Sequence, residues 1–163
     1  MKKSKIIIIA IILLFIDQIS KYLVASNMNL YQNITIIPNF FSLFYIRNSG
    51  AAFSILEGHT EFFYLITVVA LVVVYFFYKE AKTKLAYIAT TLLLVGTLGN
   101  FIDRLLFKEV IDFFSFSFKN YNFAIFNVAD IYVVLAVALL ILDSFRKKDV
   151  NEENNNWWII WFR

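Results

Sequence analysis

The residues best suited to chemistry lie between Gly96 and Asp130, beside segments apolar enough to enter a membrane. This stretch carries three aspartates, Asp103, Asp112 and Asp130. It also carries amide and cationic side chains at Asn100, Arg104 and Asn127. Ionisable groups at or near membrane depth are costly, so their concentration here indicates a functional or structural role.

The composition narrows the chemistry that these residues could perform. The 163 residues include no cysteine, which excludes disulfides, thiolate metal sites and a cysteine nucleophile. His59 is the only histidine, which argues against a histidine-based metal site and leaves any serine nucleophile one candidate base. Catalysis would therefore rely on carboxylates, amides and a few cations, and we expect neither a metal nor a cofactor.

Asp112 and Asp130 are candidates for an acid–base pair. Two carboxylates held close together in apolar surroundings can share a proton, because both cannot ionise at once. The ionised member could activate a water, while the protonated one polarises a peptide carbonyl and later protonates the leaving amine. Spacing alone leaves alternatives open. Asp130 lies three residues after a possible helix cap, Asn127, and could be only a capping carboxylate.

Four apolar segments must position these residues. We predict membrane helices over residues 6–25, 62–78, 85–102 and 127–142. Hydrophobic residues make up 61% of the chain and the mean hydropathy is +0.71, which argues against a water-soluble protein. The basic residues 1–5 and the apolar run after them resemble a secretory signal peptide. No A-x-A cleavage signal follows, so we predict that this first helix is retained.

Basic residues are distributed unevenly between the two ends of these helices. One end holds Lys2, Lys3, Lys5, Lys79, Lys82, Lys84, Arg146, Lys147 and Lys148. The other end holds Arg47, Lys108 and Lys119, with Lys21 and Arg104 at helix ends. The positive-inside rule then places both termini in the cytoplasm and the polar residues near the outer face. The basic residues that give the net charge of +3 lie between the apolar segments, as in a membrane protein, and do not form a phosphate-binding face. We therefore expect no nucleic-acid partner.

The segments between the helices differ from plain solvated loops. Residues 26–61 contain the only proline, Pro38, and short β-branched and aromatic runs at 34–37 and 40–46. These predict short strands that could form a small sheet on the membrane surface. Residues 105–122 are predicted to be a second, aromatic-rich loop. The fold class is thus an all-α membrane protein of four transmembrane helices with a small β-rich part.

The domain organisation is simple. We assign residues 1–148 to one transmembrane domain and residues 149–163 to a polar C-terminal tail. The tail ends in a tryptophan-rich run that could be an interfacial aromatic anchor or could have no function.

Other polar and small residues are predicted to support the site. Asp17 and Lys21, spaced i, i+4, can form an ion pair that either neutralises a helix end or orients a site. Gly96 and Gly99 would let a neighbouring helix approach closely. Asp103 is followed directly by an arginine, which suggests charge pairing at the membrane boundary.

Five motifs resemble those of the lipoprotein signal peptidases, also called signal peptidase II. They are DQISK at 17–21, RNSGAAF at 47–53, GTLGNFIDR at 96–104, VIDF at 110–113 and FNVAD at 126–130. They occur in the family's order and cover roughly residues 6–145. Five motifs in order on a four-helix chain are highly specific, although position 97 is threonine where alanine is frequent.

The resemblance implies an aspartyl endopeptidase of the bacterial cytoplasmic (inner) membrane with an extracytoplasmic β-cradle. Such enzymes remove the signal peptide of a prolipoprotein just before the cysteine that bears diacylglyceryl. The implied catalytic pair is Asp112 and Asp130. The implied site-shaping or substrate-binding residues are Asn48, Asn100, Arg104 and Asn127. The implied structural residues are Asp17, Lys21, Gly50, Gly96, Gly99 and Asp103. The expected partners are the lipidated prolipoprotein and membrane lipid, and we expect a monomer.

Two other classes of protein could use the same residues. A proton-coupled transporter would need carboxylates distributed through the bilayer, but the inner halves of the second and third helices carry no charge. A non-enzymatic scaffold would use the polar residues only for capping and packing. That explains each residue singly but not why all lie at one membrane edge, so the peptidase is our leading prediction.

Overall fold

The structure, a computed structural model, describes residues 3–50, 60–118 and 121–155. Within these ranges it has four long helices: α1 (Lys3–Asn27), α2 (Thr60–Glu80), α3 (Lys84–Phe107) and α4 (Val128–Asn155). Each contains a span long and apolar enough to cross a membrane, and the shorter spans are 19 residues. At about 1.5 Å per residue, 19 residues extend ~28 Å, close to the hydrocarbon thickness of a bilayer. The prediction of four membrane helices is confirmed.

The helix exteriors are covered by large apolar side chains. Phe15, Leu65 and Val134, on three different helices, are 65%, 63% and 68% exposed. Exposure on this scale is costly in water, because apolar surface is expelled from it, and is favourable in hydrocarbon. The chain is accordingly a multi-pass membrane protein.

A small antiparallel sheet joins the helices at one end. Its strands are β1 (Asn33–Ile37), β2 (Phe41–Asn48), β3 (Val110–Phe118) and the two-residue β4 (Tyr121–Asn122), in the order β1-β2-β3-β4. The predicted strands at 34–37 and 40–46 are confirmed as β1 and β2. The loop predicted over 105–122 was wrong: this segment is the end of α3 followed by β3 and β4. β3 forms because it pairs with β2, a strand far away in the sequence.

The sheet packs on the helix ends through a compact apolar cluster. Val24 of α1, Tyr45 of β2 and Ile111 and Phe113 of β3 are all buried there. This cluster fixes β3 against α1 at the end of the bundle where α1 and α3 finish and α2 and α4 begin. We call this end the sheet end.

Some predictions concern residues outside the described ranges. These include residues 51–53 of the RNSGAAF motif, His59 and the tryptophan-rich residues 156–163. Helix α4 continues to Asn155, into the segment predicted as a polar tail. The division of the chain at residue 148 stays a prediction.

Candidate active site

β3 delivers Asp112 to the sheet end. In the β2–β3 ladder Asp112 pairs with Ile46, next to an irregularity in register between Leu43 and Ile46. The Asp112 side chain is almost fully buried, and each of its oxygens accepts a hydrogen bond. Asn48 Nδ2 donates to Oδ2 at 2.9 Å, and Asn127 Nδ2 donates to Oδ1 at 2.7 Å.

The first turn of α4 delivers Asp130. The Asp130 backbone N–H donates to Asn127 Oδ1 at 3.1 Å, while the Asn127 backbone N–H donates to Asp130 Oδ2 at 3.0 Å. This reciprocal pair is a capping box, so the capping interpretation of Asp130 holds locally. The cap uses only one carboxylate oxygen, however. The other, Oδ1, accepts a hydrogen bond from Asn100 Nδ2 at 2.7 Å.

Asn127 links the two carboxylates. It is fully buried, and its Nδ2 donates both to Asp112 and, at 3.0 Å, to Asn100 Oδ1. Its main chain and side chain together therefore contact Asp112, Asp130 and Asn100. Asp112 and Asp130, which are 18 positions apart on different elements, are thereby brought to one place.

Both aspartates border the same cavity of ≈ 270 Å³. Its polar wall is formed by Asn48, Asn100, Arg104, Asp112 and Asp130. The rest of the lining is mainly apolar and comes from the segment before α4 and from α4 itself, with Ile125, Phe126, Val133 and Val134. A cavity with a few convergent polar groups in an apolar lining is the usual form of a ligand site.

The protonation of Asp112 is shifted toward neutral pH. Burial raises the pKa of the Asp112 carboxyl to about 7, and the nearby negative charge of Asp130 acts in the same direction. The hydrogen bonds from Asn48 and Asn127 oppose the rise, because they stabilise the ionised form. The Asp112 carboxyl can consequently hold a proton near neutral pH.

Arg104 closes one side of the cavity. Its Nη2 donates to the Gly50 carbonyl oxygen at 3.2 Å, and its guanidinium lies 4.8 Å from the centre of the Phe63 ring. Gly50 is itself fixed by its N–H, which donates to Asn48 Oδ1 at 2.9 Å. Among the described residues no salt bridge joins Asp103 to Arg104, although the two opposite charges lie near each other. Asp103 pairs instead with Lys21, because neighbouring residues of a helix point about 100° apart.

A buried ion cluster lies behind the cavity. Lys21 Nζ is 3.0 Å from Asp17 Oδ2 and 3.1 Å from Asp103 Oδ2, and these three residues are at most 1% exposed. The predicted pairing of Asp17 with Lys21 is confirmed. The cluster joins α1 to α3, directly beside Asn100.

The two glycines of α3 allow the close approach predicted for them. A Cβ on Gly96 would lie 2.5 Å from the Ala129 carbonyl oxygen and 2.7 Å from Val133 Cγ2 of α4. A Cβ on Gly99 would collide with the Asp17 carboxylate of α1. Both contacts lie within one turn of Asn100, so they bring α1 and α4 close to α3 at the site.

Sequence reasoning assigned no role to three residues around the site. Gln18 Nε2 donates to Asp17, to the Gly99 carbonyl oxygen and to Asp103 at 3.0–3.2 Å. Its position between Asp17 and Lys21 in a mostly apolar helix could have indicated that it belongs to the same polar cluster. Phe63 contacts the guanidinium of Arg104, and the Tyr64 hydroxyl donates to the Arg104 carbonyl oxygen at 2.9 Å. Aromatic residues are common in membrane helices, so neither gave a signal.

Comparison of the sequence with known proteins gives one consistent family. The family model described as signal peptidase (SPase) II matches residues 9–146. A lipoprotein signal peptidase of Staphylococcus haemolyticus is 45% identical over 149 residues, covering 90% of this chain and 93% of that protein. One from Staphylococcus aureus is 42% identical over 149 residues, covering 88% and 91%.

Comparison of the structure gives a matching result. A bacterial membrane enzyme solved by the in meso method at 2.3 Å resolution has a TM-score of 0.83 and 35% identity, with 90% of this chain and 91% of that chain covered. A second, solved by the same method at 1.9 Å, has a TM-score of 0.78 and 36% identity, with 87% and 93% covered.

Proposed function

The chain belongs to the signal peptidase II family, and we propose that it cleaves diacylglyceryl-modified prolipoproteins just before the lipidated cysteine, using Asp112 and Asp130 to activate a water. That it is a protease of the signal peptidase II type follows from the family. One observation carries the finer proposal. Two carboxylates, joined through Asn127, border one cavity whose remaining lining is mainly apolar.

The geometry supports a division of roles within the pair. Burial raises the pKa of the Asp112 carboxyl to about 7, so Asp112 is suited to hold a proton near neutral pH and to act as the acid, which leaves the role of base to Asp130. Asp130 takes a proton from a water as the water oxygen attacks the scissile carbonyl carbon. Asp112 donates a hydrogen bond to the carbonyl oxygen. The C–N bond then breaks, and a proton from the pair passes to the leaving amine.

The amides around the pair hold it in place during these steps. Asn100 and the Asn127 backbone N–H each donate to one oxygen of Asp130, which fixes the plane of its carboxyl group. Asn48 fixes Asp112 from the strand side. Arg104 contributes positive charge and hydrogen-bond donors to the cavity wall, where they can bind the substrate backbone.

The membrane determines how the substrate arrives. The basic residues at the other end of the bundle favour cytoplasmic termini and a site near the outer face of the cytoplasmic membrane. The signal peptide would enter sideways between the helices, and the acyl chains of the lipidated cysteine would remain in lipid. The apolar wall formed by Val133 and Val134 is suited to such a substrate.

The purified enzyme tests the substrate specificity. We expect a lipidated prolipoprotein to be cut just before its modified cysteine, and the same polypeptide without lipid to be cut at least ~100-fold more slowly. A chelator should leave the rate unchanged, since the described residues contain no group of three or more His, Cys, Asp or Glu that could hold a metal. Equal cleavage of both polypeptides would contradict the proposal. Proton flux into vesicles without cleavage would favour the transporter instead.

A further inference from the structure

Three asparagine side chains surround the aspartates, and each has its carbonyl oxygen held by an N–H donor. Asn48 Oδ1 accepts from the Gly50 backbone N–H at 2.9 Å, and Asn127 Oδ1 accepts from the Asp130 backbone N–H at 3.1 Å. Asn100 Oδ1 accepts from Lys21 Nζ at 3.0 Å. An amide whose oxygen is held by a donor must turn its NH₂ group the other way, which here is toward a carboxylate.

Lys21 differs from the other two anchors. Asn48 and Asn127 are oriented by main-chain groups that the fold itself fixes. Asn100 is oriented by a side-chain ammonium, which has three donors and no acceptor. Asn127 Nδ2 also donates to Asn100 Oδ1, but it donates to Asp112 as well. A substitution of Asn127 would also remove a hydrogen bond to Asp112. A substitution of Lys21 removes a hydrogen bond that orients Asn100 toward Asp130 and leaves the hydrogen bonds to Asp112 in place.

The two carboxylates that hold Lys21 also hold the elements that carry the aspartate pair. Asp103 accepts a hydrogen bond from the Ile111 backbone N–H at 3.1 Å, one residue before Asp112. Asp17 accepts from the Ala129 backbone N–H at 2.8 Å, one residue before Asp130. The ammonium lies between Asp17 and Asp103 and keeps two like charges together in a buried place.

We infer that Lys21 is a positioning residue of the active site: it turns the Asn100 amide toward Asp130 and holds together the two carboxylates that fix β3 and α4 beside the aspartate pair. Lys21 does not line the cavity. Its hydrogen bond and ion pairs act on the relative placement of the two carboxyl groups, and its positive charge also opposes the rise of the Asp112 pKa. The inference rests on the proposed function, because it concerns the same pair.

Replacement of Lys21 by methionine tests this placement. We expect Lys21→Met to lower kcat for the lipidated prolipoprotein about 100-fold while KM stays within twofold, because displacement of a catalytic group by about 1 Å costs on that order. A purely structural role would lower the melting temperature and the folded fraction but leave kcat per folded enzyme unchanged.

Two further variants make the result decisive. Asp17→Asn/Lys21→Met removes one formal charge of each sign from the cluster, so its net formal charge is unchanged and the variant retains its fold more readily. We expect the same loss of kcat in it. Thr83→Ala is the matched control, since it breaks a partly buried contact between the N-cap residue of α3 and Asp143 of α4 at the opposite end of the bundle. It should lower the melting temperature and leave kcat and KM unchanged.

The outcomes separate this inference from the proposed function. Folded Lys21→Met and Asp17→Asn/Lys21→Met with wild-type kcat would overturn the positioning role, while an inactive Asp112→Asn measured beside them would leave the proposed function standing. Failure of both Lys21 variants to fold would overturn it too, by placing the role of Lys21 in folding. An active Asp112→Asn would overturn the proposed function itself.

Discussion

At the scale of single residues, Asp112 is the group whose protonation differs most clearly from that of an ordinary aspartate. Its carboxyl is buried at the junction of β2, β3 and the start of α4, beside a second carboxyl. Burial raises its pKa to about 7, so folding itself increases the affinity of this group for a proton. This property has a consequence for stability as well as for catalysis.

The stability of the protein should fall with rising pH through the titration of Asp112. Between about pH 4 and 7 the folded state binds more protons at this residue than the unfolded state, so the free energy of unfolding decreases as pH rises. The effect is on the order of a few kcal/mol. Melting temperatures of the wild type and Asp112→Asn, compared from pH 5 to 8, should show the wild type losing stability relative to the variant. A constant difference would contradict the raised pKa.

The residue types of the site could be predicted from the sequence, but most of their partners could not. The absence of cysteine and the single histidine pointed to carboxylates, and the motif resemblance selected Asp112 and Asp130. The ion pair between Lys21 and Asp103 depends on how α1 packs on α3, which no local spacing reveals. Gln18 was overlooked because its hydrogen bonds to Gly99 and Asp103 also depend on how α1 packs on α3.

At the scale of elements, the site depends on how closely α4 packs on α3. Gly96 faces the Ala129 carbonyl, one residue before Asp130, and Asn100 one turn later donates to Asp130. The same contact that packs the two helices therefore sets the position of Asp130, one of the two proposed catalytic carboxyl groups.

Replacement of Gly96 by alanine should impair both packing and cleavage. A Cβ there would lie 2.5 Å from a backbone oxygen, so α4 must shift, and we expect a loss of about 1–3 kcal/mol in unfolding free energy. Cleavage should fall at least tenfold, because Asp130 moves with α4. Thermal unfolding and the cleavage rate measure these effects. Thr97→Ala, on the next residue, is the control and should change neither by much. Gly96→Ala with normal stability and activity would show that α3 and α4 are not in this close contact.

The elements themselves were predictable to different degrees. The helices follow from local apolar runs of sufficient length, and their predicted bounds lie within those observed or one residue outside. β1 and β2 follow from β-branched and aromatic runs between turn residues. β3 was missed because its strand character depends on pairing with β2, and the alternation of VIDFFSFSF was interpreted as part of a loop.

At the scale of the whole molecule, the chain is a multi-pass membrane enzyme whose small sheet and candidate site lie at one end of the helix bundle. Large exposed side chains surround the helices, and the polar groups of the site are enclosed among them. The proposed orientation, with both termini in the cytoplasm, rests on the unequal distribution of lysine and arginine.

Single-cysteine labelling can test that orientation directly, because the chain has no cysteine of its own. Asn39→Cys, exposed beside β2, should react with a membrane-impermeant maleimide added outside intact cells. Glu80→Cys, exposed at the opposite end, should react only after the membrane is permeabilised. The reverse pattern would place the site on the cytoplasmic side and would contradict the proposed substrate.

The central claim is that Asp112 and Asp130 together break the peptide bond. Its most direct test is the rate of cleavage of one lipidated prolipoprotein by Asp112→Asn and by Asp130→Asn, each purified and shown by thermal unfolding to be folded. The account predicts that each single replacement lowers the rate by at least ~10³-fold, because neither remaining carboxyl can act as both acid and base. Cleavage by either folded variant within tenfold of the wild-type rate would contradict it.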